Sequence, residues 1–522
     1  MKRTNPSLYR FMPPLRFEKQ SLIVYGYSLL TGLASGAIVV AYRGVIGYFE
    51  ELRKDILPQL ALSLPKTILW LALASAAGWL VSYLVKGSPL IKGSGIPQVK
   101  AYLMRRIDFD WKRELPYKFA GGALALGAGL SLGREGPSIQ LGALAGSAID
   151  QKFCKGELRR FLVTAGAAAG ISAAFNAPLA GVLFCIEELH RNVSPVLLTS
   201  ALLASFAANA FMWIAAGNAA IFPLEIIATL PLQHYILGVL GIGIAAGILG
   251  SIFNLGLVGF QRIYARLVPR PSARIVLAFM LAAGISLVAV PISGGGGELV
   301  GELADGHFRI GFIALLLAGK LVFTLFSYAS GSPGGIFLPM LSIGALAGAL
   351  IHGFFPETAA LQPYLSNFIL LGMAGFFVAV VRAPITGAVL ITEMSGSLAH
   401  FPAFILVSIA ATATAELFGT RPIYDTLLTQ LAPHKLESED RKPLNLHIPI
   451  HEGCPFGSCG ALIRYLPEGC LLVSVHRGDS SLFPAEALGL QPGDLLTVVV
   501  ESGRASSLKS RLLALGQGRE EL

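Results

Sequence analysis

Apolar residues fill the first 432 positions of this chain in stretches broken by glycine and proline more often than by charge. A helix needs about 20 apolar residues to cross a ~30 Å hydrocarbon core. Candidate spans begin near Ser21, Thr67, Lys118, Phe161, Pro195, Tyr235, Ile275, Ile310, Ile336, Phe368, Ala383 and Phe401. Several are too short or too long for one simple crossing, and interruption at mid-membrane is a transporter feature. After Ala432 the pattern changes. The run from Cys470 to His476 reads as a strand, Arg477-Gly478-Asp479 as a turn, and Leu495 to Val500 as a second strand after Pro492-Gly493-Asp494. The chain therefore predicts an all-α polytopic membrane domain over 21–435, preceded by a tail over 1–20. Residues 436–522, with their core over 444–515, predict a small β-rich α+β domain.

Composition supports the membrane reading. Apolar residues make up 54% of the 522 and charged residues 14%, against roughly 25% charged in a soluble globular protein. A disordered polar chain and a small disulfide scaffold are excluded. The five cysteines, Cys154, Cys185, Cys454, Cys459 and Cys470, form no oxidised framework by number or spacing. Residues 436–522 hold 8 basic and 11 acidic residues, leaving 1–435 with a net charge of +12. Membrane loops explain that excess better than a nucleic-acid footprint, so no nucleic-acid partner is expected.

Lysine and arginine placement predicts an orientation. Lys152, Lys155, Arg159 and Arg160 cluster in one loop, and Arg262, Arg266, Arg270 and Arg274 in another, whereas 192–261 and 321–381 contain neither residue. The basic loops and both termini are expected in the cytoplasm, and the loops near Pro223 and Pro356 outside. Lys2, Arg3, Arg10, Arg16 and Lys19 precede an apolar run without a clear cleavage site, which suits a cytoplasmic tail better than a signal peptide.

The chain also repeats itself. Gly142-Ala143-Leu144-Ala145-Gly146 recurs identically at Gly344 to Gly348, an offset of 202 shared by Pro137 and Pro339. Asn176-Ala177-Pro178-Leu179-Ala180-Gly181 resembles Arg382-Ala383-Pro384-Ile385-Thr386-Gly387 at an offset of 206, which also relates Glu187 to Glu393. Two related halves, about 21–215 and 230–432, predict a binding site near mid-membrane where they meet.

Three glycine-rich breaks carry the candidate chemistry: Gly93-Ser94-Gly95-Ile96-Pro97, Gly133-Arg134-Glu135-Gly136-Pro137 and Gly335-Ile336-Phe337-Leu338-Pro339. Each has a proline where a helix can begin. Glycine admits bare backbone to a ligand, and helix-start N–H groups with the helix dipole attract an anion without a full positive charge. A buried lysine would hold the anion too tightly for transport, so none is expected at the site. Taken alone, each break could equally be a packing kink, Ser94 a helix cap and Tyr424 an interfacial aromatic.

These segments, GSGIP, GREGP and GGIFLP, resemble the signature motifs of the CLC family of chloride channels and proton/chloride antiporters, in order, over about residues 20–432. The resemblance implies the CLC fold, with an inverted internal repeat and interrupted helices. It implies a central chloride held by the Ser94 hydroxyl, the Tyr424 hydroxyl and the backbone N–H groups of Ile336 and Phe337. Glu135, a carboxylate within an apolar segment, is costly there and functional by default. By resemblance it is the external gating and proton glutamate; a static pair with Arg134 is the plainer alternative. Glu188 aligns with the internal proton-transfer glutamate of the antiporter branch, the plainer alternative being a solvated helix end beside His190 and Arg191. Glu187 is expected to serve structure, like Glu393. Gln98 departs from the glutamate that often follows the GSGIP proline.

The implied function is a homodimeric proton-coupled chloride antiporter in a bacterial inner membrane, each subunit with its own anion pathway. The alternative is a passive voltage- or ligand-regulated chloride channel of the same fold. Chloride is substrate, membrane lipid the surroundings, and no cofactor, metal or enzymatic activity is expected. Gly129-Leu130-Ser131-Leu132-Gly133 fits a hydrolase elbow string but lacks the strand-to-helix setting that motif needs. The tail pattern PEG-x-LLVSV-x-R followed by L-x-PGD-x-L-x-V resembles the TrkA C-terminal (RCK-C) domain, which implies a regulatory ligand site. His447, His451, Cys454 and Cys459 have spacings that could bind metal but fit zinc signatures poorly, and they read better as ordinary domain residues.

Overall fold

The structure is a computed structural model that describes residues 19–60, 63–190, 194–217, 221, 222, 224, 227, 232–355, 362–432, 443–452, 454–478, 480–485, 488–501 and 505–517. The N-terminal basic stretch before Lys19, Arg191, Pro223 and Pro356 lie outside them. The chain divides into two compact units, Met1–Leu431 and Ala432–Leu522.

The first unit is helical. Its helices are α1 (Lys19–Leu60), α2 (Leu64–Gly87), α3 (Ile96–Leu103), α4 (Trp111–Gly127), α5 (Glu135–Phe153), α6 (Arg159–Phe175), α7 (Pro178–Phe184) and α8 (Pro195–Ala216). There follow α9 (Leu232–Leu267), α10 (Pro271–Val288), α11 (Gly297–Ala304), α12 (Ile310–Ala329), α13 (Phe337–Gly353), α14 (Leu365–Val381), α15 (Pro384–Ser395), α16 (Phe401–Leu417) and α17 (Ile423–Leu431). Six of them, α1, α2, α8, α9, α10 and α12, are long and apolar enough to cross a membrane. The 42 residues of α1 rise about 60 Å at 1.5 Å per residue, so α1 must tilt or project beyond the hydrocarbon. The apolar stretch near Lys118 resolves into two helices, α4 and α5, because Gly129 at φ +87° turns the backbone between them. Prolines open α2, α7, α8, α10, α15 and α16, where a missing N–H has no intrahelical partner to lose.

The repeat is built into the packing. A side chain on Gly142 or Gly146 in α5 would place its Cβ 2.0–2.1 Å from carbonyl oxygens of Gly166 and Leu162 in α6. Gly344 and Gly348 in α13 stand likewise against Gly372 and Phe368 in α14, at 2.5 and 2.1 Å. Helices can approach this closely only through small residues. Both α6 and α14 end on a left-handed residue, Asn176 (φ +53°) and Arg382 (φ +67°), before Ala-Pro starts the next helix. Asparagine accepts that conformation readily. Arg382 is held in it by its guanidinium, which donates to the carbonyl (2.9 Å) and hydroxyl (3.1 Å) of Thr420.

The second unit is an antiparallel sheet in the order β1-β4-β2-β3, made of β1 (Pro443–Pro449), β2 (Cys470–Arg477), β3 (Ser480–Leu482) and β4 (Leu495–Glu501). The helices α18 (Cys459–Ile463) and α19 (Ala505–Gln517) complete it, with Leu512 and Leu515 packed against Ile448, Val475 and Val498. Both predicted strands are present. β1 and α19 are additions, their alternation too short and too polar to stand out in the sequence.

Candidate anion site

The three glycine-rich breaks meet. Gly93 donates to the carbonyl of Ser332 (3.2 Å) and accepts from Gly334 (3.0 Å), while Gly133 and Gly335 exchange both backbone hydrogen bonds at 2.7 and 2.8 Å. Segments about 240 and 200 residues apart are thus sewn together by main chain. Glycine is required for this contact: a Cβ on Gly136 would stand 2.8 Å from the Ser94 carbonyl oxygen. From this knot α3, α5 and α13 leave, so three helix beginnings are gathered at one place.

Ser94 is buried, and its hydroxyl oxygen accepts weakly from the Ile96 N–H at 3.4 Å. Ile336 and Phe337 open α13, where N–H groups lack intrahelical acceptors. The Phe337 ring packs on Phe175 (4.8 Å), Phe377 (4.7 Å) and Phe184 (6.1 Å), and Phe184 in turn meets the Tyr424 ring edge-on at 6.3 Å. Phe184 thus stands between the Tyr424 ring and the Phe337 ring at the start of α13. Tyr424 is fully buried, and among the described residues its hydroxyl has no hydrogen-bond partner. Buried polar groups are nearly always paired, so an orphaned donor here fits a site for an anion. The donors are neutral, and they suit a halide that must also leave.

Glu135 heads α5 and is buried. Its Oε2 accepts the N–H of Leu338 at 3.3 Å. The carboxylate therefore sits where an anion would sit, on the first turn of α13. No ion pair joins it to Arg134 among the described residues.

Two cavities approach the knot. One, of about 490 Å³, is lined by Glu135, Arg134, Glu50, Arg53 and the glycines of 294–297. The other, of about 570 Å³, is lined by Gly93, Pro97, Gln98, Lys92, Arg262 and Arg274, and among the described residues that line it none is acidic.

The family described as "Voltage gated chloride channel" matches residues 71–416. The chain is 34% identical over 444 residues to the H(+)/Cl(-) exchange transporter ClcA of Vibrio cholerae serotype O1, across 82% of this chain and 93% of the relative. The chain belongs to the CLC family. A second ClcA, from Cronobacter sakazakii, is 34% identical over 442 residues, covering 81% of this chain and 93% of that protein. Among solved structures, a slow cyanobacterial Cl⁻/H⁺ antiporter superposes with a TM-score of 0.74 at 29% identity, covering 79% of this chain and 98% of that one. A CLC-type fluoride/proton antiporter, at 22% identity and a TM-score of 0.66, shares the fold over 77% of this chain and 97% of its own.

In this CLC chain Glu188 is no solvated helix end. It is buried in a π-turn (Cys185–Leu189) and its Oε1 lies 2.8 Å from the Lys100 Nζ. Lys100 also meets Asp425 Oδ1 at 2.6 Å. Glu187 turns away and caps the start of α15. Gln98 is buried, and its amide donates to the Lys92 carbonyl at 2.7 Å, a bond within the loop before α3.

Two buried lysines stand close to glycine-rich segments. Lys118 is fully buried and donates to the carbonyls of Ile91 (2.9 Å) and Gly93 (2.7 Å), one residue from Ser94. Lys320 does the same to Ile292 (3.2 Å) and Gly294 (2.7 Å). Both ammonium groups are spent on carbonyl dipoles, so they stiffen loops. The two lysines are 202 apart, the repeat offset, a signal present in the sequence. Lys100 and Asp425 had no such signal.

Ser131, of the hydrolase-like string, is buried and bonded to Thr324 (2.8 Å). In the second unit His447 meets Thr497 at 3.3 Å and Cys459 is buried. Among the described residues no three His, Cys, Asp or Glu side chains are placed to hold a metal.

Proposed function

We propose that this protein is a proton-coupled chloride antiporter. The observation that carries the reading is the Glu135 carboxylate resting on the Leu338 N–H at 3.3 Å. A carboxylate and a chloride then compete for the same helix start, and protonating Glu135 frees that start for the anion. This links proton binding to anion passage without a separate machine. Chloride is taken to bind among Ser94, Tyr424 and the N–H groups of Ile336 and Phe337. Glu135 passes protons on one side and Glu188 on the other. The names of the ClcA relatives support the assignment.

The basic cavity, with Arg262 and Arg274 on a predicted cytoplasmic loop, is read as the inner vestibule. The Glu135 cavity is then the outer one, and both termini are cytoplasmic in a bacterial inner membrane. The assembly is read as a homodimer with one pathway per subunit, and residues 436–522 as a TrkA-C-like domain that takes a small regulatory ligand. Deleting 436–522 tests the last point: an unchanged flux and ligand response would remove it.

The deciding experiment is simultaneous proton and chloride flux in liposomes holding the purified protein. A chloride gradient should drive protons uphill. Chloride movement without protons would assign the passive channel instead.

A further inference from the structure

Lys100 joins the three segments that carry the proposed site. It lies on α3, the helix that Ser94 precedes. Its ammonium meets Glu188, in the π-turn after α7, at 2.8 Å and Asp425, next to Tyr424 in α17, at 2.6 Å. The side chains of Lys100 and Glu188 are 7% and 6% exposed, and Asp425 is 31% exposed. One cation is therefore shared by two carboxylates, one sealed and one reaching water.

We propose that Lys100 is the positioning cation for proton transfer at Glu188, and that Asp425 retains the ammonium whenever Glu188 takes a proton. The inference rests on the reading of Glu188 as the internal proton carrier. The charge count requires a device of this kind. With all three ionised, the triad carries one net negative charge. Adding a proton converts the Glu188 carboxylate to the acid, leaves Lys100 protonated and makes no other bond. A lysine paired with Glu188 alone would then be a buried cation with no counter-charge, a strongly unfavourable state. Asp425, already at 2.6 Å, removes that obstacle.

Among the described residues, further charged and titratable groups stand on the elements packed around Glu188. On α3, Tyr102 is bonded to Ser147 (2.9 Å). On α6, Arg159 donates to the Tyr102 carbonyl (2.7 Å), and Arg160 is its neighbour in the sequence. His190 itself meets Thr164 at 2.6 Å, Glu187 caps α15, and α7 carries no titratable side chain. Tyr424 belongs to the anion site.

Coulomb's law gives the signs of two substitutions. Removing the cation makes protonation of Glu188 easier; removing the Asp425 charge makes it harder. The test is chloride-driven proton flux of the full-length protein in liposomes, scanned over the pH on the side of the basic cavity. Lys100→Met should move the midpoint of the profile up by half a pH unit or more, and Asp425→Asn should move it down. Lys100→Arg should restore the original midpoint. A merely structural lysine would change rate or yield and not shift the two midpoints in opposite directions. If Glu188→Gln abolishes proton flux while neither midpoint moves, or both move together, the triad proposal is wrong. If Glu188→Gln leaves coupling intact, the reading of Glu188 fails first and takes the proposal with it. Should Lys100→Met not insert, Lys100→Arg and Asp425→Asn still decide.

Discussion

Glu187 and Glu393 clasp the two repeats by capping each other's helices. Glu393, near the end of α15, accepts the N–H groups of Leu179 (3.1 Å) and Ala180 (2.7 Å) at the start of α7. Glu187, just after α7, accepts those of Ile385 (3.2 Å) and Thr386 (2.7 Å) at the start of α15, with the Thr386 hydroxyl at 2.6 Å. A carboxylate at a helix N-terminus satisfies orphan donors and complements the dipole.

The clasp predicts matched losses of stability. Glu187→Ala and Glu393→Ala should each cost about 1.5–3 kcal/mol, the usual range for hydrogen bonds to a charged group. Glutamine, which keeps one carbonyl acceptor, should cost less at either position. Thermal unfolding of the purified protein in detergent checks this. A loss at one position only would mean that the repeat symmetry has no energetic counterpart.

Glu135→Gln should separate the two fluxes. The amide has the size of the acid and cannot cycle a proton, so chloride-driven proton movement should fall at least tenfold while chloride still passes. Paired electrode records from liposomes read both. Proton pumping that survives at the wild-type ratio would take Glu135 out of the proton path.

The glycine contacts between helices give a packing prediction. A Cβ on Gly166 would come within 2.0 Å of the Gly142 carbonyl oxygen, so Gly166→Ala must separate α5 from α6. Overpacking of this kind costs about 1–3 kcal/mol. Ala on Gly44, with nothing within 4 Å of its Cβ, is the control and should be tolerated. Melting temperature and monodispersity after extraction report the difference.

Legibility in the sequence followed how local each signal was. The GALAG segments, the prolines at helix starts and the two tail strands are patterns of neighbours, and they stand in the structure where the pattern puts them. For the meeting of the three glycine breaks, the repeat offset relates Gly133 to Gly335, while the segment around Gly93 is brought in only by the family resemblance. Nothing within a window around Gly133 announces that it exchanges hydrogen bonds with Gly335, 202 residues on. Lys100 is the extreme case. Its partners lie 88 and 325 residues away, and alone in the run Ile96–Leu103 it resembles any lysine closing a short helix. Lys118 and Lys320 were more accessible, because their spacing repeats the offset of the glycine segments.

The soluble unit offers a prediction with a definite sign in pH. Arg477 donates through Nε to Asp494 Oδ1 and through a terminal nitrogen to Oδ2, both at 2.8 Å. Asp494 is buried between the strands' ends and also accepts the Gln491 N–H at 2.9 Å. The guanidinium holds the Asp494 carboxyl below the usual carboxylate range and is itself pushed upward. Arginine stays charged throughout the accessible range, so the aspartate alone sets the window. A depressed carboxylate stabilises the fold fully above its unfolded value, about 4, and loses that contribution as pH falls through its lower folded value. Asp494→Asn should therefore weaken hydrogen-exchange protection in β2 and β4 of the intact chain at pH 7 and at pH 5 alike. Below about pH 4 the difference from the unmodified protein should shrink, after correction for intrinsic exchange. A difference that stays constant to pH 3 would mean that the carboxylate acts by shape rather than by charge, since an uncharged acid and an amide would then still be told apart.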